Sequence, residues 1–358
     1  MRIIAYYLPQ FHPIPENDAW WGKGFTEWTS VRNARPLYRG HRQPIEPGEL
    51  GYYNLLDADV RERQAQLARE AGIEGFCYWH YWFDGKQLLE KPLQQVLASG
   101  KLDMPFCIGW ANESWKAKTW LDQQTAPDKM LIEQTYPAGD DEAHFAAILP
   151  MLRDPRYICV DGKPLLMVYR PLDLPDGQAW TARWQQMACK AGFNGLYLLG
   201  HTTYSHDVNT VLSLGFDAVN LVPLGDAKRS VGLGLCHLPT LVKHIIGQSP
   251  LVYRYRQAIR VFASRIMRRE EVVPTLLPNW DHSPRSRMKA FVMDGSTPQA
   301  FQEHVQAIRQ IVDGKHNPLV MLKSWNEWGE GNYIEPDKQW GKQYIEALGK
   351  IQHAGDIR

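Results

Sequence analysis

The sequence predicts an α/β protein, a single (β/α)₈ TIM barrel over residues 1–358 with long loops at the carboxyl ends of the strands. Three observations support this fold class. Eight short apolar runs alternate with eight segments of helical periodicity, capping signals mark helix ends, and aromatic and polar residues gather where the apolar runs stop. A length of 358 residues suits one barrel with insertions.

The predicted strands and helices alternate along the whole chain. The strand-like runs are residues 3–11, 75–83, 104–112, 164–170, 196–202, 218–223, 272–280 and 318–325. The helical segments are residues 57–71, 87–99, 141–152, 178–191, 207–214, 240–269, 298–312 and 340–351. Thr297 before Pro298 is typical of a helix start, and Gly72 and Gly192 are typical of helix ends.

Composition excludes some classes of function. A net charge of +1 argues against a nucleic-acid surface over the whole protein. The 14 tryptophans and 16 tyrosines indicate an aromatic-lined cleft instead, although large cores also use such residues. Neither Cys-x-x-Cys nor His-Glu-x-x-His spacing occurs, so we expect no metal and no cofactor.

Cysteine usage and the chain start indicate a location. The five cysteines are scattered, and two of them fall inside strand-like runs, which suits reduced thiols: Cys77, Cys107, Cys159, Cys189 and Cys236. The chain enters a strand at once, with no secretory signal and no apolar stretch long enough to span a membrane. We therefore expect a cytoplasmic protein.

The segment 324–336 contains the main candidates for catalytic residues. It follows the last apolar run and holds two carboxylates, Glu327 and Glu330, beside tryptophans and glycines. Cleavage of a glycosidic bond needs an acid for the leaving oxygen and a second carboxylate near the anomeric carbon. Aromatic faces can hold a pyranose ring. The alternative interpretation is a solvated pair of glutamates at a helix start, with the tryptophans in the core.

The other candidate residues also follow strands, because the carboxyl ends of barrel strands converge on one mouth. We expect substrate contacts from Tyr6, Tyr7, Trp28, Trp79, His80, Tyr81, Trp110, Asn112, Glu113, Tyr169, His201, Trp280, Asp281, Trp325 and Asn326.

Some of these residues have plainer interpretations. Side-chain alternation in the second strand would turn about half of its aromatic residues toward the helices. By itself His80 is more typical of a hydrogen-bonded core histidine, Glu113 is a third active-site acid or a loop acid, and Asp281 can pair with Arg285.

Several motifs together resemble one known family. They are Ala5-Tyr6-Tyr7-Leu8-Pro9-Gln10-Phe11-His12, Gly24-Phe25-Thr26-Glu27-Trp28, Gly75-Phe76-Cys77-Tyr78-Trp79-His80-Tyr81-Trp82, Trp110-Ala111-Asn112-Glu113 and Trp325-Asn326-Glu327-Trp328-Gly329-Glu330-Gly331. Over nearly its full length the chain resembles the glycosyltransferase WbsX family, whose members are also described as glycoside hydrolase family 99-like proteins.

The resemblance implies a mechanism. Family 99 relatives are (β/α)₈-barrel endo-α-mannosidases and mannanases that retain anomeric configuration and need no metal. It implies that Glu330 is the general acid/base and that Glu327 deprotonates the substrate 2-hydroxyl, which then attacks the anomeric carbon to form an anhydro sugar. In that role Glu330 should have a raised pKa, from burial and from the charge of Glu327.

The expected function is that of a carbohydrate-active enzyme on α-linked glycan, a retaining (endo-)glycosidase or transglycosylase of bacterial O-antigen or capsule metabolism. Its substrate would be an oligosaccharide or polysaccharide, free or lipid-linked. Two alternatives stay open: a glycosyltransferase that uses an activated donor, although the chain has no Asp-x-Asp motif or glycine-rich phosphate loop, and a non-catalytic glycan-binding barrel. The sugar, its linkage and the oligomeric state are left open.

Residues 227–271 are predicted as a helical insertion or sixth barrel helix with a basic amphipathic face. Six arginines and five apolar residues alternate at helical spacing from Leu251 to Arg269. A solvated basic face is the favoured interpretation, and peripheral contact with an anionic inner-membrane surface is the alternative hypothesis.

Overall fold

Parallel strands form a nearly closed barrel, which confirms the predicted fold class. The computed structural model describes residues 1–100, 102–117, 129–232, 238–247 and 249–353. Eight strand positions follow one another around the barrel in chain order: Arg2–Tyr7, Gly75–Phe83, Phe106–Trp110, Lys163–Val168, Tyr197–Thr202, Ala218–Leu221, a divided seventh strand, and Leu319–Leu322.

The seventh strand consists of two pieces, Val272–Val273 and Thr275–Leu276, so the ring has nine segments. The first piece pairs with the sixth strand and the second with the eighth. Pro274 lies between them and has no N–H to continue a ladder. Its carbonyl still accepts a hydrogen bond from Met321 N at 3.0 Å, which helps to close the barrel.

Helices surround the barrel at most of the predicted positions. They are Ala58–Glu70, Lys91–Ser99, Asp140–Leu152, Gly177–Lys190, Val208–Ser213, Leu224–Gly232, Leu238–Ile245, Pro298–Val312 and Gln343–His353. The expected cap is present at the start of the helix Pro298–Val312, where Thr297 Oγ1 accepts from Ala300 N at 3.2 Å.

The loops above the strands carry short elements of their own. Their helices are Pro15–Trp21, Glu27–Asn33, Tyr255–Ala258 and Ser283–Ser286. Their strands are Lys86–Leu88, Trp115–Lys116, Met130–Ile132, Leu251–Arg254, Trp280–Asp281, Phe291–Asp294, Asn326–Glu327 and Asn332–Tyr333. A further short strand, Cys159–Val160, pairs antiparallel with the amino end of Lys163–Val168.

Alternation along the first strand decides which aromatic side chains reach the barrel interior. Tyr6 points inward, stacks on Trp79 at 4.8 Å and donates to Asn220 Oδ1 at 2.7 Å. Tyr7 points outward and donates to Gln64 on the helix Ala58–Glu70. Adjacent tyrosines therefore serve opposite faces of one strand.

The single amphipathic helix predicted from Leu251 to Arg269 is wrong. Leu251–Arg254 is a strand parallel to Phe291–Asp294, and the chain continues through the short helix Tyr255–Ala258 into two 3₁₀ turns. Tyr255, Ile259 and Phe262 instead belong to a second core cluster, in which Phe262 is fully buried. In Leu251–Arg254, sheet pairing makes the backbone hydrogen bonds that the predicted helix would have made.

Other expectations concern cysteines and membranes. Cys77 and Cys107 are buried free thiols, Cys159 and Cys189 are exposed free thiols, and Cys236 lies outside the described residues. Within the described ranges, none of the helices has the length and apolar character that crossing a membrane requires.

Candidate active site

The loop after the eighth strand folds into a small hairpin that presents both glutamates. Asn326–Glu327 pairs antiparallel with Asn332–Tyr333, and the 3₁₀ turn Trp328–Glu330 forms the tip. At the base, Trp325 N donates to Tyr6 O at 2.8 Å, which attaches the hairpin to the first strand. Both carboxylates therefore stand on a frame fixed by backbone pairing.

The two glycines of the hairpin are required by close approaches. A Cβ on Gly329 would meet the Glu27 carboxylate and lie 2.9 Å from Arg285 Nε. Gly331 has φ of +65° and a Cβ there would lie 2.9 Å from Asp281 Cβ. Glycine thus lets the tip fit against the neighbouring loops.

Lys323, the residue after the eighth strand, lies between the two glutamates. Its Nζ is 3.1 Å from Glu327 Oε2 and 3.5 Å from Glu330 Oε2. Glu327 Oε1 also accepts from Trp79 Nε1 at 2.8 Å. A second cation, Arg285, donates from Nη1 to Glu330 Oε1 at 2.6 Å. The site is therefore a carboxylate pair compensated by two positive charges.

Arg285 connects Glu330 to a third buried carboxylate. Its Nε donates to Glu27 Oε1 at 2.8 Å, and Glu27 is almost fully buried. The pairing of Arg285 with Asp281 considered from sequence is wrong. Asp281 instead accepts from His41 Nε2 at 2.9 Å and from Gln43 Nε2 at 2.6 Å.

The protonation of the pair differs from the expectation for Glu330. Burial favours its neutral form, but Lys323, Arg285 and His282 outweigh burial and hold the pKa of Glu330 well below its usual range. The raised pKa belongs to Glu327, through burial first and then the charge of Glu330, with which it is hydrogen-bonded. The predicted raised pKa of Glu330 is therefore wrong, and Glu327 is the carboxyl group of the pair that takes up a proton more readily.

Above the hairpin lies a cavity of about 810 Å³. It is lined by Glu327 and Glu330 and by seven of the residues predicted to contact substrate: Trp79, Tyr81, Asn112, Glu113, Tyr169, His201 and Trp280. Its volume is within the usual range for small-molecule sites.

Within the cavity, the aromatic residues form one continuous wall. The ring of Tyr169 contacts those of His201 at 4.7 Å and Trp79 at 5.4 Å. Burial, with the nearby charge of Lys323, lowers the pKa of His201 to about 3, so its imidazole is neutral at physiological pH. Tyr81, which also lines the cavity, contacts Trp115 edge to face at 5.1 Å.

Two predicted polar residues have specific partners at the rim. Asn112 Oδ1 accepts from Arg170 N at 2.7 Å and its Nδ2 donates to Tyr136 Oη at 3.1 Å, so it holds two loops together. Glu113 pairs with Arg170 at 3.0 Å, and both side chains are exposed. Glu113 therefore lies at the mouth and not beside the glutamate pair.

Eight residues predicted to contact substrate do not line this cavity, and those predictions need correction: Tyr6, Tyr7, Trp28, His80, Trp110, Asp281, Trp325 and Asn326. Tyr6 lies beneath Trp79, Tyr7 faces a helix, and Asp281 lies behind the hairpin.

Strand alternation and packing explain the other five. His80 faces the helices and its Nε2 lies 2.9 Å from His144 Nε2, while burial lowers its pKa to about 4. Trp110 is 1% exposed and stacks on tryptophans of the helix Gly177–Lys190. The remaining three support the loops from below: Trp28 donates to Tyr53 O, Trp325 packs on Phe76, and Asn326 binds the backbone of Leu8.

The sequence reasoning missed Lys323, Glu27, Asn17 and Gln134 and misassigned Arg285. Lys323 had a signal, because a lysine directly after a buried apolar strand is costly to bury without a partner. Asn17 had none. It is 0% exposed, lines the cavity, and neither its Nδ2 nor its Oδ1 has a hydrogen-bond partner among the described residues. Gln134 Oε1 and Trp280 Nε1 share this property.

Across the ranges that the structure describes, His, Cys, Asp and Glu side chains form no group of three or more that could hold a metal ion.

The chain shares its barrel fold with solved structures of low sequence identity. Its fold matches that of a glycoside hydrolase-like protein (TM-score 0.57, 16% identity, 98% of this chain and 93% of that chain). It also matches the GH99 endo-alpha-mannosidase from Bacteroides thetaiotaomicron (TM-score 0.59, 12% identity, 99% and 97% of the two chains). At these identities the likeness concerns the fold.

The chain belongs to the glycosyltransferase WbsX family, whose model matches residues 3–348. It is also 37% identical over 352 residues to WxcX, an uncharacterized protein of Xanthomonas campestris pv. campestris, in strains B100 and ATCC 33913. The match covers 96% of this chain and 48% of WxcX, so the chain spans about half the length of these curated relatives.

Proposed function

We propose that the protein cleaves or transfers α-linked glycan with retention of configuration, through Glu327 and Glu330. The observation that carries this proposal is the position of the pair. Two carboxylates lie at the floor of an aromatic-lined cavity, with a shared lysine between them and an arginine on one side. A structural ion pair alone would not need an open cavity of about 810 Å³ above it.

The electrostatics support a division of roles. Glu327, whose pKa is raised, gives its proton to the glycosidic oxygen, and Glu330, whose pKa is lowered, accepts the proton of the attacking substrate hydroxyl. These roles are the reverse of those that the resemblance implies. The difference follows from Arg285, which donates a hydrogen bond to Glu330 and thereby stabilises its ionised form over its protonated form.

The cavity walls support a hydroxyl-rich substrate. Trp79, Tyr81 and Tyr169 offer ring surface, while Asn17, Gln134 and Trp280 offer buried polar atoms without partners in the described part of the chain. A buried polar group that gains a hydrogen bond only when substrate binds discriminates strongly against ligands that lack the matching hydroxyl.

We also propose that the substrate is a glycan of bacterial surface polysaccharide, free or lipid-linked, handled in the cytoplasm. Membership in the WbsX family supports this assignment. Two alternatives can be told apart by turnover. A glycosyltransferase would need an activated donor, and a binding module would show no turnover.

The first experiment is product analysis on α-linked bacterial glycans and their lipid-linked precursors, with and without nucleotide sugars. We expect cleavage or transfer without a nucleotide donor, and loss of that activity in Glu330→Gln. Product only with a nucleotide sugar would favour the glycosyltransferase. Glycan binding without any turnover would favour the binding module.

A second experiment separates the roles of the two glutamates. Aryl α-glycosides with a good and a poor leaving group are compared for Glu327→Gln and Glu330→Gln, because a good leaving group needs no acid. We expect Glu327→Gln to keep activity on the good leaving group alone, and Glu330→Gln to lose both. The opposite pattern would restore the roles that the resemblance implies.

A further inference from the structure

A second cavity, of about 240 Å³, lies behind the catalytic hairpin. Trp280 and Glu330 line the first cavity, and their chain neighbours Asp281 and Gly331 line the second. The two cavities are therefore separated only by the single chain segments 280–281 and 330–331.

The walls of the second cavity are rich in aromatic rings: Tyr38, Tyr333, Trp340 and Tyr344. Tyr38 is held by stacking on His41 at 4.4 Å, and Tyr333 by stacking on Trp328 at 3.8 Å. Rings fixed in this way can pack against the C–H surface of a pyranose with little loss of conformational freedom.

Two polar atoms on these rings lack partners within the described ranges. They are the hydroxyl of Tyr38 and Nε1 of Trp340, and both atoms are buried. Tyr333 differs, because its hydroxyl already donates to Asp337 Oδ2 at 2.8 Å. Buried donors without partners are uncommon in folded proteins and indicate an absent ligand or water.

The cavity also offers a carboxylate acceptor. Asp281 is held by the neutral donors Gln43 Nε2 and Ser283 N and by His41 Nε2. His41 Nδ1 accepts from Leu37 N at 3.0 Å, which leaves Nε2 as the donor to Asp281. Asp281 therefore keeps its charge and can accept a hydrogen bond from a hydroxyl group.

Charge limits the class of ligand. Asp281, Asp294 and Asp337 line the cavity together with one cation, Arg42, whose guanidinium lies 5.6 Å from the ring of Trp340. This balance disfavours an anion, and these aspartates are not part of any group in the described chain that could hold a metal ion. We propose that the second cavity is an accessory site for one uncharged pyranose unit.

The test uses the full chain and five probes: the methyl α-glycosides of mannose, glucose, galactose, rhamnose and N-acetylglucosamine. Soaked crystals locate each sugar, and saturation-transfer NMR titrations give its Kd. We expect at least one sugar in the second cavity, with Kd raised about 3- to 10-fold in Tyr38→Phe and in Trp340→Phe. Tyr52→Phe, which changes an exposed tyrosine outside both cavities, is the matched control and should leave Kd unchanged.

Two results would overturn the proposal: a second cavity that stays empty with every probe, or a Kd that Tyr38→Phe and Trp340→Phe leave unchanged. Neither result bears on catalysis. Turnover by wild type and its loss in Glu330→Gln test the proposed function through the first cavity alone.

Discussion

Glu335 should make the stability of the protein depend on pH near neutrality. Glu335 is 2% exposed and contacts the hairpin 326–333 through Trp328. It accepts from Trp328 Nε1 at 2.6 Å, Gln64 Nε2 at 2.6 Å and Tyr53 Oη at 2.9 Å. Burial outweighs these hydrogen bonds and raises the pKa of Glu335 from 4.5 to about 7.

The sign follows from proton binding. The folded protein holds this proton up to about pH 7, whereas the unfolded chain releases it near pH 4.5. The folded state therefore gains stability below the unfolded pKa, and this gain is lost as pH rises through the folded pKa. A shift of this size corresponds to about 3 kcal/mol in full, of which about 2.5 kcal/mol is lost between pH 5 and 8.

Glu335→Gln removes the titration and costs about one hydrogen bond. Its new amide would face Gln64 Nε2, whose own oxygen already accepts from Tyr7 Oη at 2.7 Å, so one pairing is lost at about 1 kcal/mol. The variant should equal wild type at pH 5 and exceed its free energy of unfolding by about 2 kcal/mol at pH 8.

Urea unfolding at pH 5, 6, 7 and 8 at constant ionic strength measures this difference. Glu62→Gln, which changes an exposed glutamate on the helix Ala58–Glu70, is the matched control and should stay parallel to wild type. If Glu335→Gln also stays parallel to wild type across this range, the assignment of a neutral buried carboxyl group is refuted.

Three further predictions concern the cavity. Arg285→Gln should lower the free energy of unfolding, measured by urea titration, by about 3–5 kcal/mol. Adding Glu27→Gln should restore part of that free energy. An absence of recovery would contradict the ion pair between Arg285 and Glu27. Lys323→Met should raise the pKa of both glutamates and move the acid limb of kcat/KM against pH upward, and an unmoved limb would contradict its role. Asn17→Ala should lower kcat/KM about 10-fold. It should leave the free energy of unfolding unchanged, because the Asn17 amide has no hydrogen-bond partner within the described chain. A lower free energy of unfolding with unchanged kcat/KM would contradict a role for Asn17 in substrate binding.

Local patterns were enough to predict the barrel and the location of its glutamate pair. Strand and helix periodicity is local, so alternating segments can be identified directly in the sequence. The rule that functional loops follow the strands of a barrel then indicates which loops to search. The same local reasoning failed for the segment from Leu251 to Arg269. There, helical spacing of apolar residues belonged to a strand and 3₁₀ turns that cover a second core.

By itself the sequence located the two candidate carboxylates, because Glu327 and Glu330 lie on one loop at a strand end. Only the tertiary structure decided their charges. Lys323 and Arg285 together lower the pKa of Glu330, and Arg285 meets Glu27 only in the folded chain, across 258 positions of sequence. A pKa depends on burial and on charges within a few ångströms, and neither quantity exists until the chain has folded.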